Sequence, residues 1–169
     1  MASNNVATTL VSIRTSALPV LTGLMGTMGI VTGLYSFKAP VDAETLFGIL
    51  VPSSVQASKE LSSWQKAQTY TRGLRNFAGG LSIVGITLFW RFSSLCQSSP
   101  VAAVTARRCL GIIFLTGTVI AGGDGLVITQ FAHAEGISKE AKEVAEKTGT
   151  GHLVMTLPVL ALGLACFFI

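Results

Sequence analysis

The sequence predicts an all-α protein: a bundle of four transmembrane helices with a polar pocket at one membrane side, built as one integral membrane domain over residues 1–169. Three observations lead there. Half of the residues are apolar and only 12% are charged, with a mean hydropathy of +0.62, which is a membrane composition. Four apolar stretches approach or exceed the roughly 20 residues that a helix needs to cross a ~30 Å hydrocarbon layer. The few polar residues inside those stretches gather toward one end.

The elements follow in chain order. Residues 1–15 read as a short polar tail rather than a cleaved signal, with Arg14 beside the first apolar run. The first helix is expected at about 18–37. Its Gly29 and Gly33 form a small-xxx-small pair, the spacing that lets helix backbones approach closely in lipid. It should stop at Lys38-Ala39-Pro40, since proline fits just past a helix end. A long loop over 38–67 follows, with a short interfacial helix at about 41–50, a break at Pro52-Ser53-Ser54, a polar turn from Ser58 and Trp64 at interface depth. Its length and apolar content favour a lid over a plain connection.

The second helix is expected at about 68–92, with Tyr70, Arg72, Arg75 and Asn76 ahead of its apolar run. Residues 96–100 form a polar turn. The third helix covers about 104–131 and the fourth about 151–169. Between them, 138–147 reads as a short charged helix that Ser138 can cap, with Lys139/Glu143 and Glu143/Lys147 at i,i+4.

Charge and cysteine content exclude several function classes. The net charge is +4, but the basic residues sit at helix ends, which suits topology and lipid headgroups rather than nucleic acid. Cys96, Cys109 and Cys166 show neither a CxxC pair nor histidines at metal spacing, so they read as small apolar residues. Four spans put both termini on one side with Arg14, Arg91, Arg107 and Arg108 and no acid. The opposite side carries the long loop and the charged helix, with lysines and acids mixed. The short arginine-bearing segments favour a cytosolic first side, with the endoplasmic reticulum as the expected membrane.

Depth then locates a site. At ~1.5 Å per residue, Arg75 and Asn76 lie roughly 10 Å inside the second helix, and Asp124 lies roughly 10 Å before the third helix ends at Phe131. His152 stands at the mouth, Tyr35 within a turn of it, and Glu44 and Gln130 nearby. A carboxylate at the centre of a span costs about 2.5–3.5 kcal/mol on insertion scales, so Asp124 is expected to face a partner or a water-filled hollow. Arg75 is that partner. The bland alternative is a structural ion pair between two helices, although buried pairs stabilise poorly. The glycines of Gly122-Gly123-Asp124-Gly125 read as packing rather than a phosphate loop, and they leave room beside the carboxylate. Taken singly, Arg72 reads as an interfacial residue whose head snorkels to water. His152 reads as a helix-start histidine, and Tyr35 and Trp64 as belt aromatics.

A carboxylate, a guanidinium, an amide, an imidazole and a phenol, without nucleophile motif, metal cluster or cofactor fingerprint, suit cofactor-free acid/base chemistry on a lipophilic substrate. Epoxide opening needs both an acid on the leaving oxygen and a base on the attacking one. Asp124 and His152 would divide those roles as catalytic groups with Arg75, while Asn76, Tyr35, Glu44 and Gln130 bind substrate. Another acid/base enzyme, such as an isomerase or terpene-type cyclase, is the alternative, as is a non-enzymatic carrier or assembly subunit. No cofactor and no metal are expected. The partners are a lipophilic small molecule and membrane lipid, with a homodimer left open and no nucleic acid.

The segments Arg72-Gly-Leu-Arg-Asn-Phe-Ala-Gly-Gly80, Gly122-Gly-Asp-Gly125 and Gly149-Thr-Gly-His152 resemble a family of small four-helix membrane proteins common in fungi and bacteria. The likeness covers Gly26 to the C-terminus. Within it, the chain is similar to the small membrane epoxide hydrolases/cyclases of fungal polyene-polyketide pathways, of the aurovertin and citreoviridin type. That resemblance implies opening of epoxides by water or an internal hydroxyl to build cyclic ethers. It carries over to Arg75, Asn76, Asp124 and His152. Tyr35, Glu44 and Gln130 rest on depth alone.

Overall fold

The computed structural model describes residues 16–51 and 61–169. The polar tail with Arg14, the break at Pro52–Ser54 and the turn from Ser58 lie outside the described residues. Among the described residues six α-helices follow one another: α1 Leu18–Lys38, α2 Pro40–Phe47, α3 Ser63–Phe92, α4 Ser94–Ser98, α5 Pro100–Ala132 and α6 Lys139–Phe168. The described residues hold no strand.

Local chemistry sets the boundaries. Ala39 precedes Pro40 and leaves the helical region (φ −135°, ψ 68°), because the proline ring disfavours helix before it. Pro40 then opens α2 at a position where its missing N–H is no loss. Gly48 closes α2 in the left-handed region at φ 99°. A Cβ there would also stand 2.8 Å from Thr148, so glycine is required twice over.

Helix α3 begins at Ser63, five residues before the expected 68. Ser62 and Gln65 form a reciprocal capping box that satisfies the first N–H groups. The polar turn at 96–100 is likewise structured: Ser93 caps the single-turn α4, and Ser99 caps α5, with Pro100 in its first turn. The expected charged helix at 138–147 and the expected final span are one continuous helix, α6. Ser138 caps it, accepting from Ala141 N at 3.2 Å. The ion pair there joins Lys142 and Glu146 at 3.8 Å, not the pairs expected from Lys139, Glu143 and Lys147.

Helices α1, α5 and α6 are long and apolar enough to cross a membrane. Helix α3 has the length but is not among them. Its N-terminal half carries Lys66, Arg72, Arg75 and Asn76, which lower its hydropathy. Large apolar side chains stand exposed along these helices, among them Val20, Leu24 and Met28 on α1, Val119 and Leu126 on α5, and Val154 and Leu157 on α6. A helix apolar on its outer face is suited to lipid.

The long helices pack as two antiparallel pairs, α1 with α3 and α5 with α6. α3 and α5 touch more sparingly. Glycine makes both pairs close. A Cβ on Gly80 would sit 2.5 Å from Gly26 O and from Ile30 N, and one on Gly33 2.6 Å from Phe77 N. In the other pair, Gly111 lies against Gly163, and Gly125 against Gly149 and Leu153. Such small-residue contacts replace the hydrophobic drive that lipid does not provide.

Leu18, Leu110, Phe114 and Cys166 form the core at one end, flanked by Met25, Ile83 and Trp90. Thr87 donates to Thr22 there at 3.0 Å. Ile128, Ala132 and Ala145 form the core at the other end, with Phe47 and Phe131 packed on it. The first end is not purely apolar. Arg107, two turns into α5, is only 5% exposed, whereas its neighbour Arg108 is exposed.

Candidate functional site

Helix α3 is the organising element. On a helix of ~100° per residue, Thr69, Arg72 and Asn76 fall within one arc of about 60°, while Arg75 points about 120° away from Thr69 and about 100° away from Asn76. The shared face looks toward α1 and α2; Arg75 looks toward α5.

The first face meets a buried carboxylate. Glu44, on α2, is 5% exposed, and its Oε1 accepts from the Arg72 guanidinium and from Thr69 Oγ1. The Arg72 guanidinium also lies over the Phe47 ring, 4.1 Å from its centroid. Phe47 in turn makes an edge contact with His152, the ring centroids 5.4 Å apart. A line of contacts thus runs from Glu44 through Arg72 and Phe47 to His152, joining α2, α3 and α6.

A cavity of about 300 Å³ opens beside this line. Thr32, Tyr35 and Ser36 of α1 form one wall. Thr69, Arg72 and Asn76 form a second, and Ala43, Leu46 and Phe47 of α2 cover it, with His152 reaching in from α6. That volume is at the lower end for small-molecule sites, which typically combine apolar walls with a few placed polar groups.

The second face of α3 carries the pair expected from depth. Arg75 Nη2 donates to Asp124 Oδ2 at 2.7 Å, with the arginine side chain 39% and the aspartate 22% exposed. The short distance is that of a charge-assisted hydrogen bond. Neither residue lines the cavity. Helical phase is the reason: Asn76, one residue after Arg75, is turned ~100° from it.

Of the seven residues expected at the site, Tyr35, Asn76 and His152 line the cavity together. Arg75 and Asp124 meet each other beside it. Glu44 and Gln130 do not line it. Glu44 is consumed by Arg72 and Thr69 behind the wall. Gln130 is exposed, six residues beyond Asp124 and therefore about 240° around α5. Arg72 is not the snorkelling residue expected but the guanidinium of the cavity wall. Its spacing was a usable signal, because Thr69, Arg72 and Asn76 recur at i, i+3 and i+7. Phe47 had no signal in the sequence.

No three or more His, Cys, Asp or Glu residues converge as metal ligands among the described residues. The cysteines are free, Cys96 and Cys166 buried and Cys109 exposed. The chemistry on offer is that of proton donors and acceptors: imidazole, phenol, amide, guanidinium and two carboxylates held by arginines.

No curated protein and no solved structure is significantly similar to the chain. One family model, described as a domain of unknown function (DUF4267), matches residues 26–166, from the first close-packed glycine of α1 almost to the end of α6. The match takes in every residue of the cavity and both carboxylate–guanidinium pairs, and the chain belongs to the DUF4267 family.

Proposed function

We propose that the protein is a cofactor-free acid/base enzyme of the membrane that opens epoxides of a lipophilic polyketide, using water or an internal hydroxyl. In this reading all four long helices span, α3 included, with its polar half shielded by α1, α2 and α5. The cavity opens at one membrane side. The termini are cytosolic, the membrane is the endoplasmic reticulum, and a homodimer is compatible with the exposed apolar faces.

The observation that carries the proposal is the height of the acid/base groups. Gly125 packs against Leu153. It lies equally against Gly149 and so is centred on residue 151 of the antiparallel α6; Asp124 and His152, each displaced one residue from there toward the same end, therefore lie at one level. Arg75 holds Asp124 at that level, and His152 reaches into the cavity. Epoxide opening requires that an attacking O–H lose its proton to a base while the departing oxygen gains one from an acid. In this reading His152 serves from the cavity wall and Asp124, which does not line the cavity, from beside it through the attacking water or hydroxyl, while Tyr35 and Asn76 position the oxygens and the apolar cover of Leu46 and Phe47 excludes bulk water.

The test is turnover of an epoxidised polyene in microsomes, followed by incorporation of isotopically labelled water. Asp124→Asn should abolish product while the protein still accumulates in folded form. Undiminished turnover in that variant refutes the assignment. A carrier is the second reading, and the burial of Arg107 toward the opposite end favours it, because polarity then reaches beyond one half of the bundle. Uptake of the intact epoxide into proteoliposomes, without opening, would select it.

A further inference from the structure

The cavity's hydrogen-bonding inventory points to the ligand it takes. Three of its hydroxyls have already placed their protons. Thr32 Oγ1 donates to Met28 O at 2.9 Å, Ser36 Oγ to Thr32 O at 3.0 Å, and the single Thr69 hydroxyl proton has Glu44 Oε1 and Gln65 O, the latter at 2.9 Å, as its acceptors. The nearby carboxylate, Glu44, is occupied as an acceptor behind the wall. Of the groups left facing the hollow, the Tyr35 phenol, the Asn76 amide and the His152 ring can each donate or accept, and the Arg72 guanidinium alone is purely a donor. Arg72 carries five N–H donors, and its bond to Glu44 runs through Nη2 alone.

Charge adds a second constraint. Glu44 neutralises Arg72 from the far side, so the pair brings no net positive charge to the cavity. A ligand carboxylate would enter apolar surroundings with no cation left to compensate it, which is costly. A neutral acceptor can take an Arg72 N–H without disturbing the pair.

We infer that the cavity recognises a neutral, hydrogen-bond-accepting oxygen of the carbonyl type on an otherwise apolar chain, with Arg72 as its anchor and Glu44 as the residue that makes the anchor prefer neutral over anionic oxygen. Leu46, Phe47 and Ala43 take the adjoining apolar segment, and the remainder of the chain runs out along the exposed apolar helices. This rests on the cavity being the substrate site of the proposed enzyme and is independent of the reaction performed there.

The experiment is equilibrium dialysis of the full chain in lipid nanodiscs, corrected for uptake by empty nanodiscs, against three probes of similar length: methyl undecyl ketone, dodecane and dodecanoate. The ketone should bind about tenfold tighter than dodecane, the worth of one good charge-assisted hydrogen bond, and tighter than dodecanoate. The double variant Glu44→Leu with Arg72→Met removes donor and partner together without stranding a charge, and there the ketone's advantage over dodecane should fall to about twofold or less. Equal binding of ketone and dodecane by the unaltered protein overturns the inference. So does tightest binding of dodecanoate, or a ketone preference that survives the double variant. If the double variant does not fold, Glu44→Gln replaces it: with its neutralising partner gone, Arg72 should hold dodecanoate at least as tightly as the ketone, and an unchanged preference for ketone over dodecanoate is equally fatal. A chain that shows this binding pattern yet leaves epoxides intact refutes the proposed reaction and keeps the inference. One that opens epoxides without ketone preference does the reverse.

Discussion

Replacing Glu44 by alanine should destabilise the protein by about 3 kcal/mol, although the residue lies on a helix of only eight residues outside the long bundle. Two burial values set the magnitude. The Glu44 side chain is 6% exposed and that of Arg72 19%, so both charges are largely withdrawn from water. Removing one partner of such a pair costs ~3–5 kcal/mol, because the other charge stays behind uncompensated. The lower end applies here. Arg72 keeps some contact with solvent and its seat on the Phe47 ring, and Thr69 still donates to Gln65 O. Arg72→Met alone should cost a similar amount, whereas the double variant Glu44→Leu with Arg72→Met should cost about 1 kcal/mol or less, since two well-packed apolar groups replace two desolvated ions. The assay is reversible unfolding in mixed micelles, followed by far-ultraviolet circular dichroism on wild type, both singles and the double. A Glu44→Ala variant within ~0.5 kcal/mol of wild type refutes the reasoning, as does a double variant as costly as the two singles added together.

Three further outcomes are expected. Gly80→Ala should loosen the α1–α3 pair and cost about 1–3 kcal/mol in the same unfolding assay, because its Cβ has only 2.5 Å to Gly26 O; Gly79→Ala, whose Cβ meets nothing within 4 Å, should change stability by less than about 1 kcal/mol. His152→Ala should lower kcat for epoxide opening by about 100-fold with KM little changed if the imidazole moves protons, and a pure KM effect would reduce it to a wall residue. A cysteine introduced at Gln97, in a chain whose own three cysteines are replaced, should react with a membrane-impermeant reagent in sealed microsomes; labelling only after detergent opens them reverses the orientation.

Height along a helix was readable from residue counting, and direction around it was not. The pairing of Arg75 with Asp124 follows from two equal depths on neighbouring antiparallel helices, and the close approach at Gly29 and Gly33 from their spacing. Gln130 had a suitable depth but the wrong phase. Arg75 and Asn76 are adjacent in sequence and yet face different neighbours, because one residue is a turn of ~100°. The capture of Arg72 by Glu44 depends on how the segment after Pro40 folds back, which no periodicity encodes. The unity of α6 was hidden for another reason: its first turns are patterned for water and its later turns for lipid, so a composition change within one helix reads as two elements.

The division into two tightly zipped helix pairs with a sparse seam between α3 and α5 has a mechanical outcome. Each pair moves as a stiff plank, since its backbones are already at contact distance and have no slack to give up. Distortion concentrates where the planks meet, and there the principal polar tie among the described residues is Arg75–Asp124. Under the proposed function, an oily guest arriving sideways from the bilayer would be admitted by the planks parting like the covers of a book, with that one tie acting as the clasp.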